Sequence, residues 1–285
     1  MPAAGIRPGG AGLRATDRWR AELEAWAIPR SLLDAAEESP YGWQPWIWER
    51  MSAVARSAPP PVTRDIARNL LGDHGSVLDV GAGRGRASLP LAELGYNLTA
   101  VEPDDGMAGG FEEDAARLGV AARLVRGRWP EAAADVEQAD VVISAHVVYD
   151  VPGIGPFIRA LNDTARRGVV IEMTQRHPRV VTAPLFTAVH GVDRPGGPSV
   201  DDLVEVIIEE LGIRPDVERW ERPSTLWFRN WDEIIAFYGQ RVTLPIARRP
   251  ELRPLLESQV TEENGRMYVG DRVGHHCTVW WRIDR

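Results

Sequence analysis

Residues 77–107 read VLDVGAGRGRASLPLAELGYNLTAVEPDDGM, and this stretch decides the fold class. The apolar run 77–80 predicts a short buried strand, and glycines at alternate positions after it predict a tight turn. The amphipathic segment 86–94 predicts a helix. A second apolar run, 98–101, ends at Glu102. The stretch therefore predicts a strand, a turn, a helix and a second strand, which together make a βαβ unit.

The glycine turn and the acid that ends the second strand are the groups that bind a ligand in such a unit. Gly81 and Gly83 permit backbone angles barred to other residues, and unpaired N–H groups at a helix start attract negative charge. Glu102 follows Gly81 by about twenty residues, the spacing of nucleoside-binding units. Because its carboxylate can accept hydrogen bonds from two ribose hydroxyls, the turn predicts a nucleoside site.

The third glycine decides between two kinds of ligand. A dinucleotide fingerprint, G-x-G-x-x-G, requires glycine where this chain has Arg86, so that motif is not matched. Instead, DVGAGRG at 79–85 resembles motif I of the class I S-adenosylmethionine-dependent methyltransferases, and VEPDDGM at 101–107 resembles the second motif of that family. The resemblance covers about residues 60–174.

The resemblance implies an α/β fold, with a Rossmann-like, doubly wound and mostly parallel sheet of seven strands that ends in an antiparallel hairpin. Within the resemblance, 140–144 corresponds to the fourth strand, 146–151 to the loop after it and 168–173 to the fifth strand. Farther along, 217–220 and 278–283 predict the two strands of the hairpin.

The remaining segments predict additions to this sheet. Residues 1–16 are rich in Gly and Pro and predict a mobile tail, and 17–60 predict a helical lid with helices at 19–26, 31–38 and 43–55. Three tryptophans of this segment either line the lid or pack it onto the core: Trp43, Trp46 and Trp48.

Residues 61–285 predict the methyltransferase domain itself. Its hairpin strands are separated by an insertion at about 227–270, in which 231–238 and 251–260 show helical patterns.

The resemblance implies S-adenosylmethionine as the cofactor and implies a role for each matching residue. The turn glycines cradle the aminopropyl part, Asp79 lies beside the amine, Glu102 holds the ribose, and Pro103 and Met107 flank the adenine. The chain lacks the acid that often binds the adenine amino group, and Trp129 either stacks on adenine or packs in the core. The donor-binding residues predicted in this way are Asp79, Gly81, Ala82, Gly83, Gly85, Glu102, Pro103, Met107, Trp129 and Ser144.

The catalytic candidates follow the fourth strand, because ligands of open α/β sheets bind beyond the carboxyl ends of the strands. Residues 144–150 should therefore face the transferred methyl group. His146 is the first candidate for a base, since its ordinary pKa of about 6.5 is near working pH, and a structural hydrogen-bonding role is the alternative. Tyr149 is the second candidate. The run 144–147 lacks the Asp/Asn-Pro-Pro-aromatic motif of amino-group methyltransferases, which disfavours that class.

No metal site is predicted. His275 and His276 would point to opposite faces of a strand, and His177 and His190 are separated by a loop-like stretch. Cys277 is the only cysteine, so neither an intramolecular disulfide nor a cysteine-rich metal site can form within this chain.

Composition limits the partners. The chain has 285 residues, 44% of them hydrophobic, and a net charge of −8. Binding to a nucleic-acid backbone requires clustered Lys and Arg, which a chain of net negative charge does not favour. A small-molecule acceptor is therefore favoured over nucleic acid. No apolar run reaches membrane-spanning length and no secretory signal is visible, so we expect a cytoplasmic protein without membrane contact. These patterns leave the oligomeric state open.

The sequence thus predicts methyl transfer from S-adenosylmethionine to a small molecule by in-line displacement. Two alternatives remain. One is a protein that binds S-adenosylmethionine without turnover, and the other is a nicotinamide-dependent oxidoreductase, which Arg86 disfavours.

Overall fold

A computed structural model of the chain describes residues 12–42, 44, 46–47, 50–51 and 60–283. Strands of the described residues are β1 (Ser76–Val80), β2 (Asn97–Glu102), β3 (Ala122–Arg126), β4 (Ala139–Ala145), β5 (Ala165–Thr174), β6 (Asp216–Pro223), β7 (Val260–Glu263), β8 (Arg266–Val269) and β9 (Val273–Arg282). The α-helices are α1 (Ala15–Trp26), α2 (Arg30–Asp34), α3 (Val62–Leu71), α4 (Leu89–Ala92), α5 (Asp105–Leu118), α6 (Ile154–Thr164), α7 (Ala183–His190), α8 (Val200–Leu211), α9 (Trp231–Arg241) and α10 (Arg253–Leu256).

Seven strands form one sheet in the order β3-β2-β1-β4-β5-β9-β6, and β9 runs antiparallel to β5 and to β6. The other neighbours are parallel, and β1 lies between β2 and β4, where Val77 lies opposite Leu98 of β2 and Val141 of β4. The predicted fold class is confirmed. The carboxyl ends of β1, β2, β4 and β5 consequently meet at one edge, where ligands bind in such sheets.

Helices cover both faces of the sheet because the central strands are apolar on both sides. Val142 contributes to a core with Trp19 of α1 and Phe157 of α6. Its neighbours along β4 point to the opposite face, where Val141 joins a second core with Phe111 of α5. No helix of the described residues has the length and apolar character needed to cross a membrane.

A third core joins the N-terminal segment to the insertion. Ile47 packs with Phe228, Phe237 and other buried side chains of this cluster. The guanidinium of Arg50 donates to both carboxylate oxygens of Glu233, at 2.6 and 2.8 Å. The predicted lid is therefore attached to the insertion as well as to the main sheet.

Several predicted boundaries were wrong. The helix predicted at 86–94 is confined to α4, because residues 83–88 form turns instead. Gly85 lies within these turns and has a φ of +80°. The helical pattern at 251–260 gives only the short α10 and flanking 3-10 turns, and its end enters the hairpin β7–β8.

The N-terminal predictions also need correction. Ala15 and Thr16, assigned to the mobile tail, are buried residues of α1. The helix predicted at 31–38 ends at Asp34 as α2. Residues 1–11 and two of the three tryptophans, Trp43 and Trp48, lie outside the described residues.

Candidate active site

The glycine turn after β1 brings the backbone close to two neighbouring segments. The N–H groups of Gly81 and Ala82 donate to the Val101 carbonyl at 2.8 and 3.1 Å. Gly81 has a φ of +73°, and a Cβ added there would lie 2.4 Å from Cγ2 of Val147. A Cβ added at Gly83 would meet nothing within 4 Å. Gly81 thus admits the loop that follows β4, whereas Gly83 faces open space.

Glu102 lies across the glycine turn. Its carboxylate accepts a hydrogen bond from Gly83 N–H at 2.8 Å and another from Asp104 N–H at 3.0 Å. The side chain is nearly buried, so these bonds hold the carboxylate at the edge of the sheet. Its role in holding a ribose stays a prediction, and the position next to Gly83 is the one that this role requires.

Asp79 is a buried carboxylate on β1 with no hydrogen-bond partner on either oxygen among the described residues. Its side chain is 1% exposed. Burial raises the pKa of Asp79 to about 7, against the opposing effects of the Ser88 hydroxyl and the Arg86 charge. A buried carboxylate without a partner is costly, and an ammonium group of a ligand would satisfy it. The described residues therefore fit the amine of the methyl donor.

The other predicted donor residues differ in their surroundings. Gly85 is required for packing, because an added Cβ would lie 2.5 Å from Leu89 Cγ. Met107 lies in the first turn of α5, where its N–H donates to the Asp104 side chain at 2.8 Å. Pro103 is exposed, next to Glu102. Their proposed contacts with the donor stay predictions.

Two predicted donor residues are held by the protein itself. Ser144 is fully buried, and its hydroxyl donates to the Val80 carbonyl at 3.1 Å; its contact with the donor stays a prediction. Trp129 is buried in the core and donates through Nε1 to the Phe157 carbonyl at 3.3 Å. This position fits the alternative in which Trp129 packs in the core. Stacking of Trp129 on adenine stays a prediction.

His146 follows β4 with a φ of +62°, an unusual conformation for a residue other than glycine. Its Nε2 lies 2.9 Å from Oε1 of Glu172, and its Nδ1 lies 3.3 Å from the Tyr149 hydroxyl. Burial lowers the pKa of His146, and Glu172 opposes that effect. The imidazole is therefore neutral at pH 7, as a general base must be.

Glu172 is the functional candidate that the sequence reasoning missed. It is 1% exposed on β5, and Arg86 donates to the same Oε1 at 3.0 Å. Burial by itself would raise the pKa of Glu172, but the Arg86 charge and the His146 hydrogen bond bring that pKa well below the ordinary value. The sequence contains a signal for this role, because Glu172 is the one acidic residue in the apolar run VVIEMT and charged residues are rarely buried without a partner.

Tyr149 is buried and hydrogen-bonded, which makes it a poor base. Its hydroxyl lies 2.7 Å from Oγ1 of Thr174 and also accepts from the Thr174 N–H. Burial raises the pKa of Tyr149 above its ordinary value. Tyr149 can orient His146 and donate a hydrogen bond. Its assignment as a catalytic residue stays a prediction.

His276 completes a cluster that was not anticipated. It is buried on β9, and its ligand atom lies within 4.8 Å of those of His146 and Glu172, a spacing that a metal site could use. However, Arg86 already binds Glu172, and burial together with the charge of Arg222 lowers the pKa of His276 to about 3. The local positive charge opposes a divalent cation. The prediction of no metal stays a prediction.

A cavity of about 260 Å³ lies between the N-terminal helices and the loops after β4 and β5. Tyr149 lines it and also contacts His146, so the cavity and the candidate base share a residue. Trp26 and Tyr41 line it from the N-terminal side, and the role of that segment as a lid stays a prediction.

Known proteins resemble the central part of the chain. Residues 77–168 match the family described as methyltransferase domain. A ubiquinone biosynthesis O-methyltransferase of Azorhizobium caulinodans is 32% identical over 99 residues, which are 34% of this chain and 39% of that protein. The chain thus matches about two fifths of the length of this curated relative.

Solved structures show the same fold. A candidate methyltransferase from Bacillus halodurans aligns with a TM-score of 0.52 at 14% identity, over 77% of this chain and 96% of that one. A solved structure concerned with the conversion of a disulfide bond into a thioacetal group during echinomycin biosynthesis aligns with a TM-score of 0.50 at 20% identity. The alignment covers 86% of this chain and 88% of that one. Residues 77–168 thus contain a methyltransferase domain, and the strand order and the glycine turn give the chain the fold of class I S-adenosylmethionine-dependent methyltransferases.

Proposed function

We propose that this protein transfers a methyl group from S-adenosylmethionine to a small-molecule acceptor by in-line displacement. One observation carries the proposal: Asp79 is a buried carboxylate without a hydrogen-bond partner among the described residues, and it lies one residue before the end of the strand that leads into the open glycine turn. The net charge of −8 and the small volume of the cavity support a small acceptor over a nucleic acid.

Asp79, the glycine turn and Glu102 would hold the donor. Asp79 offers a carboxylate to the amine, Gly83 leaves room beside the backbone, and Glu102 offers oxygen acceptors to the ribose. When bound, S-adenosylmethionine supplies an electrophilic methyl group on a sulfonium sulfur. The work left to the protein is to align the acceptor, exclude water and remove a proton where the acceptor carries one.

His146 would remove that proton. Glu172 accepts the hydrogen bond from Nε2–H, so the lone pair of the neutral ring lies on Nδ1. The contact of Nδ1 with the Tyr149 hydroxyl is 3.3 Å, longer than a strong hydrogen bond, so Nδ1 would accept the proton of a bound acceptor. Arg86 keeps Glu172 ionised, which stabilises the imidazolium after proton transfer.

Calorimetry with S-adenosylmethionine and S-adenosylhomocysteine tests the donor assignment. We expect micromolar binding of both, lost in Glu102→Ala and retained in Glu112→Ala, whose carboxylate pairs with Arg126 on the surface. Absence of binding to the unmodified protein would reject the proposal. Binding of NADH in place of these ligands would favour the oxidoreductase alternative, and donor binding without turnover of any acceptor would favour the inactive one.

A further inference from the structure

The cavity beside Tyr149 contains two arginines that the methyl-transfer chemistry does not use. Arg179 and Arg194 both line it, and both come from the segment after β5, outside the residues that match the methyltransferase domain. Arg194 is buried and donates through Nε and a terminal nitrogen to the Trp26 carbonyl, at 2.9 and 2.6 Å. Arg179 lies with its guanidinium carbon 4.7 Å from the centre of the Tyr41 ring.

Neither guanidinium forms an ion pair with any residue that the structure describes. Burial lowers the pKa of Arg194 to about 10, and it also lowers the pKa of Arg179, but both groups remain protonated at neutral pH. The charge of Asp150 acts on Arg179, but neither arginine forms an ion pair among the described residues. Two partly buried cations at one cavity therefore carry an electrostatic cost that a bound anion would offset.

We infer that this cavity is the acceptor site and that it takes a flat acceptor bearing a carboxylate, which Arg179 binds with support from Arg194. The inference rests on the proposed methyl transfer. The guanidinium fork of arginine matches a carboxylate in geometry and charge. Glu24 and Asp150 also line the cavity, so a singly charged carboxylate fits better than a doubly charged phosphate.

The walls favour a flat molecule of modest size. The Trp26 and His177 rings lie 4.9 Å apart, and the Tyr149 and His177 rings lie 5.2 Å apart, so aromatic surfaces follow one another around the cavity. The volume of about 260 Å³ lies below the range of about 300–1,000 Å³ typical of ligand pockets. An acceptor built on one aromatic ring meets both conditions.

Ligand-observed NMR titration of the full chain with benzoate, benzamide and phenyl phosphate tests the inference. We expect benzoate to bind at least about tenfold more tightly than benzamide, because a hydrogen bond to a charged group stabilises more than a neutral one. Arg179→Gln should abolish that preference and Arg179→Lys should retain part of it. Arg68→Gln, an exposed arginine of α3, should leave it unchanged.

Equal affinity for benzoate and benzamide, or no detectable binding of benzoate, would overturn the inference. Tighter binding of phenyl phosphate than of benzoate would also overturn it, since the anion would then be a phosphate. Thermal unfolding of each variant shows whether it folds. These titrations need no methyl donor, so a failure here with intact S-adenosylhomocysteine binding rejects the acceptor class alone, and the reverse result rejects the proposed function alone.

Discussion

The buried Glu172 and the half-buried His146 form a pair at the carboxyl edge of the sheet, with 2.9 Å between Oε1 and Nε2. The pairing follows from strand register, because Ala145 at the end of β4 lies opposite Glu172 of β5 and His146 is the next residue. The His146 N–H also donates to the Glu172 carbonyl at 2.8 Å, which anchors the unusual backbone conformation of the histidine. The acid thus positions the imidazole through its backbone and through its side chain.

Replacing Glu172 by Gln should lower the turnover number by about a hundredfold and leave S-adenosylhomocysteine affinity unchanged. The amide cannot stabilise an imidazolium as a carboxylate does, and general base catalysis contributes an effect of about this size. Steady-state kinetics and calorimetry measure the two quantities. Glu221→Gln is the matched control, because Glu221 forms a similar pair with His275 at 3.1 Å on the exposed edge of the sheet. Unchanged turnover in Glu172→Gln would make the buried pair structural.

The pH dependence of kcat/KM should show an acid limb that belongs to His146. Burial lowers the pKa of this histidine in the folded protein, so the ring stays neutral, and active as a base, until the pH falls below about 6.5. Activity should therefore be lost on the acid side of that value, and the limb should disappear in His146→Gln. An acid limb that persists in this variant, at the same pH, would assign it to another group.

The sequence predicts the sheet better than it predicts the site. The apolar runs place β1, β2, β4 and β5 within a few residues, because buried parallel strands are nearly continuous in Val, Ile and Leu. The segment 86–94 was a poorer guide, since the positive φ of Gly85 and the packing of Leu89 against it depend on tertiary contacts. Glu172 was missed because its partner lies on a neighbouring strand, and no spacing rule reports which residues strand register brings together.

The donor groups show the same division. Asp79 and Glu102 stand at positions that the motifs specify, and the structure finds both at the edge of the sheet. Ser144 fits the motif equally well, yet its hydroxyl is bonded to the Val80 carbonyl of the adjacent strand. Whether a polar side chain points towards a ligand or towards a neighbouring strand depends on packing that the local sequence does not contain.

Asp79→Asn should stabilise the ligand-free protein at neutral pH while it weakens donor binding. Burial raises the pKa of Asp79 in the folded protein to about 7, so ionisation of this carboxyl group destabilises the fold. The protein therefore loses stability as the pH rises from about 4 through 7. Removing the charge should raise the free energy of unfolding by about 2–4 kcal/mol at pH 7.5 and by little at pH 4. Urea unfolding at both pH values measures the change.

Asp140→Asn is the control for this effect and should have the opposite sign. Burial by itself would raise the pKa of Asp140, but hydrogen bonds from Ser76 lower that pKa, so its ionised form stabilises the fold. If Asp79→Asn lowers stability at pH 7.5 as Asp140→Asn does, the unpartnered carboxylate is not a reserved ligand site.

His276 should make the fold sensitive to acid. Its pKa falls to about 3 in the folded protein through burial and the charge of Arg222, while the unfolded residue takes up a proton below about pH 6.5. Stability is therefore lost as the pH falls below that value, by about 1–2 kcal/mol at pH 5 for this residue. Urea unfolding at pH 7 and pH 5 should show a smaller difference in His276→Gln than in the unmodified protein.

The neighbouring His275 provides the control for the acid sensitivity. Its side chain is 52% exposed, so His275→Gln should change the difference between pH 7 and pH 5 less than His276→Gln does. Equal behaviour of the two variants would mean that His276 becomes protonated in the folded state, and the buried cluster would then carry an additional positive charge at low pH.

Gly81→Ala and Gly83→Ala should separate packing from donor binding within one turn. The added methyl group at position 81 would collide with Val147, whose branched side chain has little rotamer freedom, and the φ of +73° adds backbone strain. We expect a loss of about 2–4 kcal/mol in the free energy of unfolding. At position 83 the space is open, so the loss should be about 1 kcal/mol and the main effect should be weaker S-adenosylhomocysteine binding.

The double variant Gly81→Ala/Val147→Ala identifies the source of the destabilisation at position 81. If the collision is the cause, the double-variant cycle should show a favourable coupling of about 1–2 kcal/mol, because removing the Val147 branches makes room for the new methyl group. Additive losses would attribute the whole effect to backbone strain, and the loop after β4 would then tolerate a larger separation from the glycine turn than the structure shows.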